Sequence, residues 1–261
     1  MDGLKIENMT FLELKELLDE KADQYNQLSF IETDPILIPK QFSEKENIEI
    51  AGFLAATIAW GQRPTIIKNA FQLMAFMENK PHEFLLHTNE QDWVHFLDFK
   101  HRTFNGVDCL FFLRSLKNIY LNHGGLEAVF SKGYQFDNSV ASALRYFRKV
   151  FFEVQHETRS QKHVSNIDKG ASAKRLNMFL RWMVRKDDHG VDFGLWKNIS
   201  MDDLLLPLDV HTGTQSRQLG LLVRKQNDWK AVVEVTEKLR QFDPHDPIKY
   251  DFALFGMGAF E

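Results

Sequence analysis

The sequence predicts an all-α fold, and three observations support that prediction. Apolar residues recur with a helical period in nearly every segment of the 261-residue chain. Helix start signals precede many of these segments. No segment alternates apolar and polar residues over a length sufficient for a strand. We therefore expect roughly a dozen helices and no substantial sheet.

The composition indicates a globular protein with a large core. Hydrophobic residues make up 44% of the chain and aromatic residues 13%, including 23 phenylalanines. The single cysteine, Cys109, excludes an internal disulfide, a cysteine-ligated zinc site and a cysteine-bound iron–sulfur cluster. The net charge of −4 argues against indiscriminate binding of nucleic acid but leaves room for a local basic patch.

The sequence also predicts a cytoplasmic protein with no membrane partner. The first residues, Met1-Asp2-Gly3-Leu4-Lys5, lack the basic-then-apolar pattern of a secretion signal. No apolar run approaches the ~20 residues that a bilayer-spanning helix needs.

The first quarter of the chain contains two helix starts and one proline-rich connector. Thr10-Phe11-Leu12-Glu13 has the spacing of a capping box and begins a helix that runs to about Asn26. The segment 34–39 holds two prolines and is interpreted as an extended connector. Ser43-Glu44-Lys45-Glu46 has the spacing of a second capping box. The helix that follows it is apolar on nearly every side at 50–59, so we expect it to be central.

The same reasoning predicts the remaining helices, three of which have a proline in the first turn. These helices are expected at 64–74, from 81, at 93–97, 107–121, 126–130, 139–152 and 173–185, and from 228 and 246. Two segments lack helical periodicity. The polar stretch 155–170 is interpreted as a surface loop, and 187–201 as an irregular excursion.

The predicted helix at 173–185 is strongly amphipathic. Leu176, Phe179, Leu180 and Met183 share one face. The opposite face carries three cations and no acid: Lys174, Arg181 and Arg185. Together with Lys162, Lys169, Arg175 and Lys186 they form the densest basic segment of the chain, which suits contacts to phosphate but is also typical of an ordinary solvated face.

A single acid stands out at Leu205-Leu206-Pro207-Leu208-Asp209-Val210-His211-Thr212. Three leucines and a proline lead to Asp209, and the helical pattern after it ends at Gly220. Such a carboxylate lies between an apolar wall, which disfavours its charge, and helix N–H groups, which favour it. Asp209 is therefore either a simple N-cap or a catalytic acid, and its own segment does not decide between them.

Three segments, taken in order, resemble the helix-hairpin-helix DNA glycosylases. Phe53-Leu54-Ala55-Ala56-Thr57-Ile58-Ala59-Trp60-Gly61-Gln62 is similar to the apolar helix that precedes the base-replacing glutamine of that superfamily. Gly170-Ala171-Ser172-Ala173-Lys174 is similar to its Gly-x-Gly-x-Lys hairpin. Leu206-Pro207-Leu208-Asp209-Val210-His211 is similar to its Val-Pro-Val-Asp-Thr-His segment. With the segment 244–256, the chain from about Asp34 onwards resembles a bacterial family nearest to the archaeal 8-oxoguanine glycosylases.

The resemblance implies a two-lobed glycosylase fold that excises a damaged base, most nearly oxidised guanine, from double-stranded DNA. Asp209 would stabilise the cationic sugar or activate the nucleophile, and Lys174 would attack the sugar carbon, with Arg175 and Arg181 favouring its neutral amine. Lys186, Lys197 or a water molecule are the alternative nucleophiles. No metal or other cofactor is expected, and the pair His156 and His163 is rejected as a metal site because no accompanying ligand pattern is present.

Further residues are assigned to DNA by the same resemblance. Gln62 would fill the gap left by an extruded base, and Trp60 would stack on the base. The remaining expected DNA contacts are Arg63, Lys169, Arg175, Arg181, Arg185 and His211. One lobe is expected at 41–204 and the other at 1–40 plus 205–261, with Lys174 and Asp209 facing each other across a cleft.

Two other classes of function stay open at this level. The fold could bind lesions or structured nucleic acid without catalysis. A small-molecule enzyme or a protein-interaction domain would suit the acidic net charge and would show no salt-dependent binding of DNA. The sequence does not indicate an oligomeric state. Lys174 and Asp209 are 35 positions apart, so the catalytic interpretation requires the excursion at 187–201 to loop out.

Overall fold

The protein is predominantly α-helical in a computed structural model that describes residues 9–261. Helices account for 64% of the structure, so the predicted all-α class is confirmed. Residues 1–5, on which the expectation of no secretion signal is based, lie outside the described residues. Among the described helices, none combines the length and the apolar character needed to span a bilayer.

Twelve α-helices are present in the described residues. Their bounds are α1 Phe11–Tyr25, α2 Leu28–Ile31, α3 Lys45–Thr57, α4 Arg63–Phe76, α5 Pro81–His87, α6 Gly106–Asn122, α7 Leu126–Tyr134, α8 Val140–Phe151, α9 Lys174–Val184, α10 Val210–Gln218, α11 Trp229–Phe242 and α12 Tyr250–Phe260. Two short antiparallel strands, β1 Lys100–His101 and β2 Phe104–Asn105, pair with each other. Strands of two residues are too short for an alternating pattern to show in the sequence.

The predicted helix starts are right in part. Thr10 caps α1 in a complete capping box with Glu13. The second predicted capping box is wrong, because Glu44 is the N-cap of α3 and makes no capping hydrogen bond through its side chain. The connector at 34–39 is not extended. Its prolines begin two 3-10 turns, Pro35–Leu37 and Pro39–Gln41, since their fixed backbone angle suits the first position of a turn.

The described chain divides into two compact units. The first unit contains the described residues up to Phe30 together with Ile167–Gly194 and Ser200–Glu261, and the second contains Ile31–Asn166 and Leu195–Ile199. This division differs from the predicted boundaries. The hairpin segment and α9 belong with the C-terminal helices, so Lys174 and Asp209 lie in the same unit.

Close helix contacts shape the first unit. A Cβ on Gly256 of α12 would lie 2.1 Å from Cδ2 of Tyr25 of α1, so only glycine permits this approach. On the same helix, a Cβ on Gly258 would lie 3.1 Å from the Cβ of His211 of α10. Helix α12 therefore packs closely against both α1 and α10.

Helix α3 is the centre of the second unit, as predicted. Every residue from Asn47 to Thr57 is buried. The ring of Phe53 packs against Phe112, Phe147 and Phe151 at centroid distances of 6.0, 5.4 and 5.5 Å. Aromatic rings at these separations contribute packing beyond their buried area, which accounts for the many phenylalanines of the sequence.

A buried acid, Glu49 of α3, ties the segment 195–199 to this unit. Trp196 donates from Nε1 to Oε1 of Glu49 at 2.7 Å, and the hydroxyl of Tyr120 donates to Oε2 at 2.7 Å. Burial raises the pKa of Glu49 from 4.5 to about 7 despite these donors and Lys45. The folded protein therefore holds a proton on Glu49 over a pH range in which the unfolded chain has lost it.

We expect the Glu49→Gln variant to flatten the pH dependence of stability. In the wild type the free energy of unfolding should fall as pH rises from about 4.5 to about 7, by on the order of 3 kcal/mol from this group. Urea unfolding at closely spaced pH values measures the slope. Glu83→Gln, at an exposed position of α5, is the control. An unchanged slope in Glu49→Gln would contradict the assignment.

Candidate functional site

Lys174 and Asp209 form an ion pair in the first unit. Nζ of Lys174 lies 3.2 Å from Oδ2 of Asp209, although the two residues are 35 positions apart. The side chains keep 31% and 14% of their surface exposed. Both side chains therefore keep contact with solvent, unlike the side chains of a fully buried ion pair.

The hairpin before α9 places Lys174 at the first position of that helix. A 3-10 turn, Ile167–Lys169, leads to Gly170, whose φ of +83° is readily adopted by glycine. Ala173 has a left-handed φ of +53° at the N-cap and makes no capping hydrogen bond through its side chain. This strained turn directs the chain into α9, so the amine of Lys174 stands at the beginning of the helix.

Asp209 is the N-cap of α10 and also faces the lysine. Oδ1 accepts a hydrogen bond from the backbone N–H of Thr212 at 2.9 Å. The hydroxyl oxygen of Thr212 accepts one from the backbone N–H of Asp209 at 2.8 Å. Since the cap is made through Oδ1, Oδ2 is directed to Lys174. The residues Leu206, Pro207 and Leu208 are buried, and Gly220 follows the helix with φ of +71°, so the N-cap, the apolar wall and the helix end are as predicted.

Arg181 and Arg185 do not form a solvated basic face. They are 4% and 1% exposed, and each guanidinium group is bound by carboxylates. Arg181 pairs with Asp192 at 3.2 Å and with Asp251, while Arg185 pairs with Asp192 at 3.0 Å. Arg185 also binds Asp187 and Asp246 at 2.7 and 2.8 Å. The prediction that these two arginines contact DNA phosphate is therefore wrong, because the sequence pattern of α9 does not show acids supplied by other segments.

The irregular excursion provides part of this network. Asp187 and Asp192 come from the stretch that lengthens the chain between Lys174 and Asp209. The excursion indeed loops out without separating the two site residues. It supplies counter-ions for α9, and Arg181 is therefore not an uncompensated cation beside Lys174, contrary to the expectation that it favours the neutral amine.

Asp251 of α12 is a site residue that the sequence analysis did not single out. Burial raises its pKa to about 6, and the charge of Asp209 acts in the same direction, while Arg181 and Lys174 oppose it. The charges of both Lys174 and Asp209 therefore affect the pKa of Asp251. The available signal was a lone acid inside the apolar run Tyr250-Asp251-Phe252-Ala253-Leu254, because a buried charge is kept only with a partner.

Only some of the cations in the predicted basic segment are exposed. Lys169 and Lys186 are exposed, and Lys174 and Arg175 are half-buried. Burial lowers the pKa of Arg175 to about 10. Lys162 is exposed but belongs to the second unit, in a segment whose 3-10 turn buries Ser160 and His163 and is thus only partly a surface loop.

Trp60, Gln62 and Arg63 form a corner between α3 and α4 in the second unit. Trp60 is half-buried, and its carbonyl bonds to Nε2 of the buried His101 at 3.0 Å. Gly61 has φ of +108°, and the next residue, Gln62, is exposed and makes no capping hydrogen bond through its side chain. Arg63 is half-buried at the start of α4. Gln62 is therefore a surface residue at the start of α4.

His211 lies two residues after Asp209 and is exposed. Its Nδ1 lies 2.8 Å from the carbonyl oxygen of Gly258, so Nδ1 carries a proton and donates to this acceptor. This bond fixes the ring orientation. Among the described residues, no group of three or more histidine, cysteine or acidic side chains is arranged to hold a metal ion.

Comparison with known proteins places the chain in one family. Residues 34–260 match the family described as protein of unknown function DUF2400. The match covers most of the chain, and the protein belongs to this family. No curated protein and no solved structure matches the chain.

Proposed function

We propose that the protein is a DNA glycosylase that removes a damaged base, most nearly oxidised guanine, through Lys174 and Asp209. The observation that carries the proposal is the 3.2 Å approach of a partly exposed amine and a carboxylate from distant parts of the chain. The resemblance of three segments to the helix-hairpin-helix glycosylases adds the substrate class. The glycosylase-like fold is part of this proposal.

The proposed reaction begins with transfer of a proton from the Lys174 ammonium group to Asp209. The lone pair of Nζ then forms a bond to C1′ of the damaged nucleotide. The bond from C1′ to the base breaks, and its electron pair leaves with the base, which takes up a proton. A carboxylate at this position also stabilises positive charge that develops on the sugar. A water molecule held by Asp209 would give base release without a covalent intermediate.

Covalent attack by Lys174 would also allow strand cleavage. After the sugar ring opens, Nζ and C1′ share an imine, which acidifies the proton on C2′. Loss of that proton expels the 3′ phosphate and breaks the strand. Lys186 and Lys197 are weaker candidates for the amine. A Cβ at Gly194 would lie 2.5 Å from the Cβ of Lys186, so the side chain of Lys186 packs against Gly194, and the backbone amide of Lys197 donates to Glu127.

Borohydride trapping on a duplex that contains 8-oxoguanine tests the proposal. We expect a covalent protein–DNA adduct in the wild type, because hydride reduces the imine to a stable amine. The adduct should be lost in Lys174→Ala and retained in the matched control Lys186→Ala, whose lysine is exposed in the same unit. Base release should be measured in parallel.

Three results would separate the alternatives. Base release without an adduct would show that water, and not Lys174, is the nucleophile. Tight and lesion-selective binding with no base release would leave a binding module and contradict catalysis. No salt-dependent binding to any duplex would contradict DNA as the substrate.

A further inference from the structure

We infer that Asn227 is a positioning residue that holds Asp209 against Lys174. The effect of Asn227 on catalysis rests on the proposed function. Asn227 lies in the segment between α10 and α11. Its Nδ2 donates to the carbonyl oxygen of Asp209 at 2.8 Å, and its Oδ1 accepts from Nη2 of Arg217 at 2.6 Å.

Arg217 closes this arrangement onto α10. Its Nη1 donates to the carbonyl oxygen of Gly213 at 2.9 Å, and its Nε donates to the carbonyl oxygen of Arg224 at 2.9 Å. The carbonyl of Asp209 also accepts the helical amide of Gly213 at 3.0 Å. The side chains of Asn227 and Arg217 thus bind the first turn of α10 from outside, and we call this arrangement the Asn227 clamp.

The same segment is joined to the hairpin that carries Lys174. Asp228 pairs with Ala171 in an isolated antiparallel bridge, and the amide of Trp229 donates to the carbonyl oxygen of Gly170 at 3.0 Å. Three consecutive residues, 227–229, therefore contact the backbone on both sides of the ion pair. A shift of this segment changes the distance between Nζ of Lys174 and Oδ2 of Asp209.

Gly213 shows how closely the clamp is fitted. A Cβ at this position would lie 2.7 Å from Oδ1 and 2.8 Å from Nδ2 of Asn227, and 3.0 Å from Nη1 of Arg217. Glycine is otherwise unfavourable inside a helix. Its presence here leaves room for the amide of Asn227. A methyl group would push that amide away while leaving the helix backbone intact.

Four variants test the clamp: Asn227→Ala, Asn227→Asp, Gly213→Ala and the double variant Asn227→Ala with Gly213→Ala. Asn227→Asp is isosteric and keeps the acceptor for Arg217, but it replaces the donor that faces the carbonyl of Asp209. We expect each single variant to lower the single-turnover rate of 8-oxoguanine release on the order of tenfold or more, with the Kd for the duplex unchanged. The double variant should be no slower than the slower single variant, because both changes remove the same contact.

A second measurement does not depend on base release. Trace acetylation with acetic anhydride, followed by mass spectrometry, gives the reactivity of Lys174 relative to Lys186. We expect the reactivity of Lys174 to rise in Asn227→Ala, since its amine is held less firmly by Asp209. Gln218→Ala, at an exposed position in the last turn of α10, should change neither the rate nor the labelling.

The outcomes distinguish this inference from the proposed function. If the wild type releases no base, the proposed function fails, and the labelling of Lys174 alone decides whether the clamp exists. Unchanged labelling in Asn227→Ala overturns the clamp. If the wild type is active, a base-release rate in Asn227→Ala within about twofold of the wild-type rate also overturns the clamp. A change confined to the Kd for DNA overturns it as well, because Asn227 would then be a DNA contact.

Discussion

Replacement of Asp209 by asparagine is expected to lower the single-turnover rate of base release by about a thousandfold. Asparagine keeps the shape of the side chain and remains a good N-cap, so the bond to the amide of Thr212 survives. The negative charge beside Nζ of Lys174 is lost. The variant can then neither take the proton of the ammonium group nor stabilise a cationic sugar. Quenched-flow or manual-quench assays under enzyme excess measure this rate.

The thermal stability of Asp209→Asn should stay close to that of the wild type, which separates a chemical defect from a folding defect. Asp34→Asn is a suitable control because Asp34 also caps a turn, with Oδ1 accepting the amide of Ile36 at 3.0 Å. We expect that control to retain the wild-type rate. A rate in Asp209→Asn within tenfold of the wild type would contradict the role assigned to Asp209.

The sequence predicted the members of the ion pair but not the residues around it. Asp209 is detectable because an apolar run, a proline and a helix start define its position locally. Lys174 is detectable only through the resemblance of its hairpin. Asn227 carries no local signal, since its partners are a backbone carbonyl and an arginine ten positions earlier. Such contacts depend on how the segment folds back along α10.

The error over Arg181 and Arg185 has a physical origin. Helical periodicity shows which residues share a face, and it correctly separated Lys174, Arg181 and Arg185 from the apolar face of α9. Periodicity does not show what covers the polar face. Asp192 and Asp251 are supplied from an irregular segment and from the last helix, so the polar face is buried without being apolar. Charged side chains accept burial when they are paired in this way.

The boundaries between the two units depend on contacts between residues that are distant in the sequence. Composition does not change at residue 167, where the chain enters the first unit, or at 195–199, where it returns briefly to the second. Trp196 explains the second case, because its indole N–H binds Glu49 in α3. A tryptophan in an irregular stretch is visible in the sequence, but its buried acceptor 147 positions earlier is not.

Replacement of Arg181 by methionine is expected to lower the free energy of unfolding by about 3–5 kcal/mol at pH 8, because it leaves the buried carboxylate of Asp251 without its partner. Methionine keeps the aliphatic part of the side chain but loses the guanidinium group, whose carbon lies 4.4 Å from the ring centre of Phe252. Arg114→Met is the control. Arg114 pairs with Glu90 at an exposed position, and such pairs contribute about 0–1 kcal/mol.

The loss in Arg181→Met should shrink as the pH falls. In the wild type, burial already raises the pKa of Asp251 from 3.8 to about 6, so the folded protein gains a proton there more readily than the unfolded chain. Without Arg181 that pKa rises further, and the penalty for ionising Asp251 is largest at pH 8 and smaller at pH 5. Urea unfolding at both values measures the difference. The double variant Arg181→Met with Asp251→Asn should recover part of the stability at pH 8, because the unpaired charge is then removed. A deficit that is equal at both pH values and unchanged in the double variant would show that lost packing, and not the buried charge of Asp251, accounts for the effect.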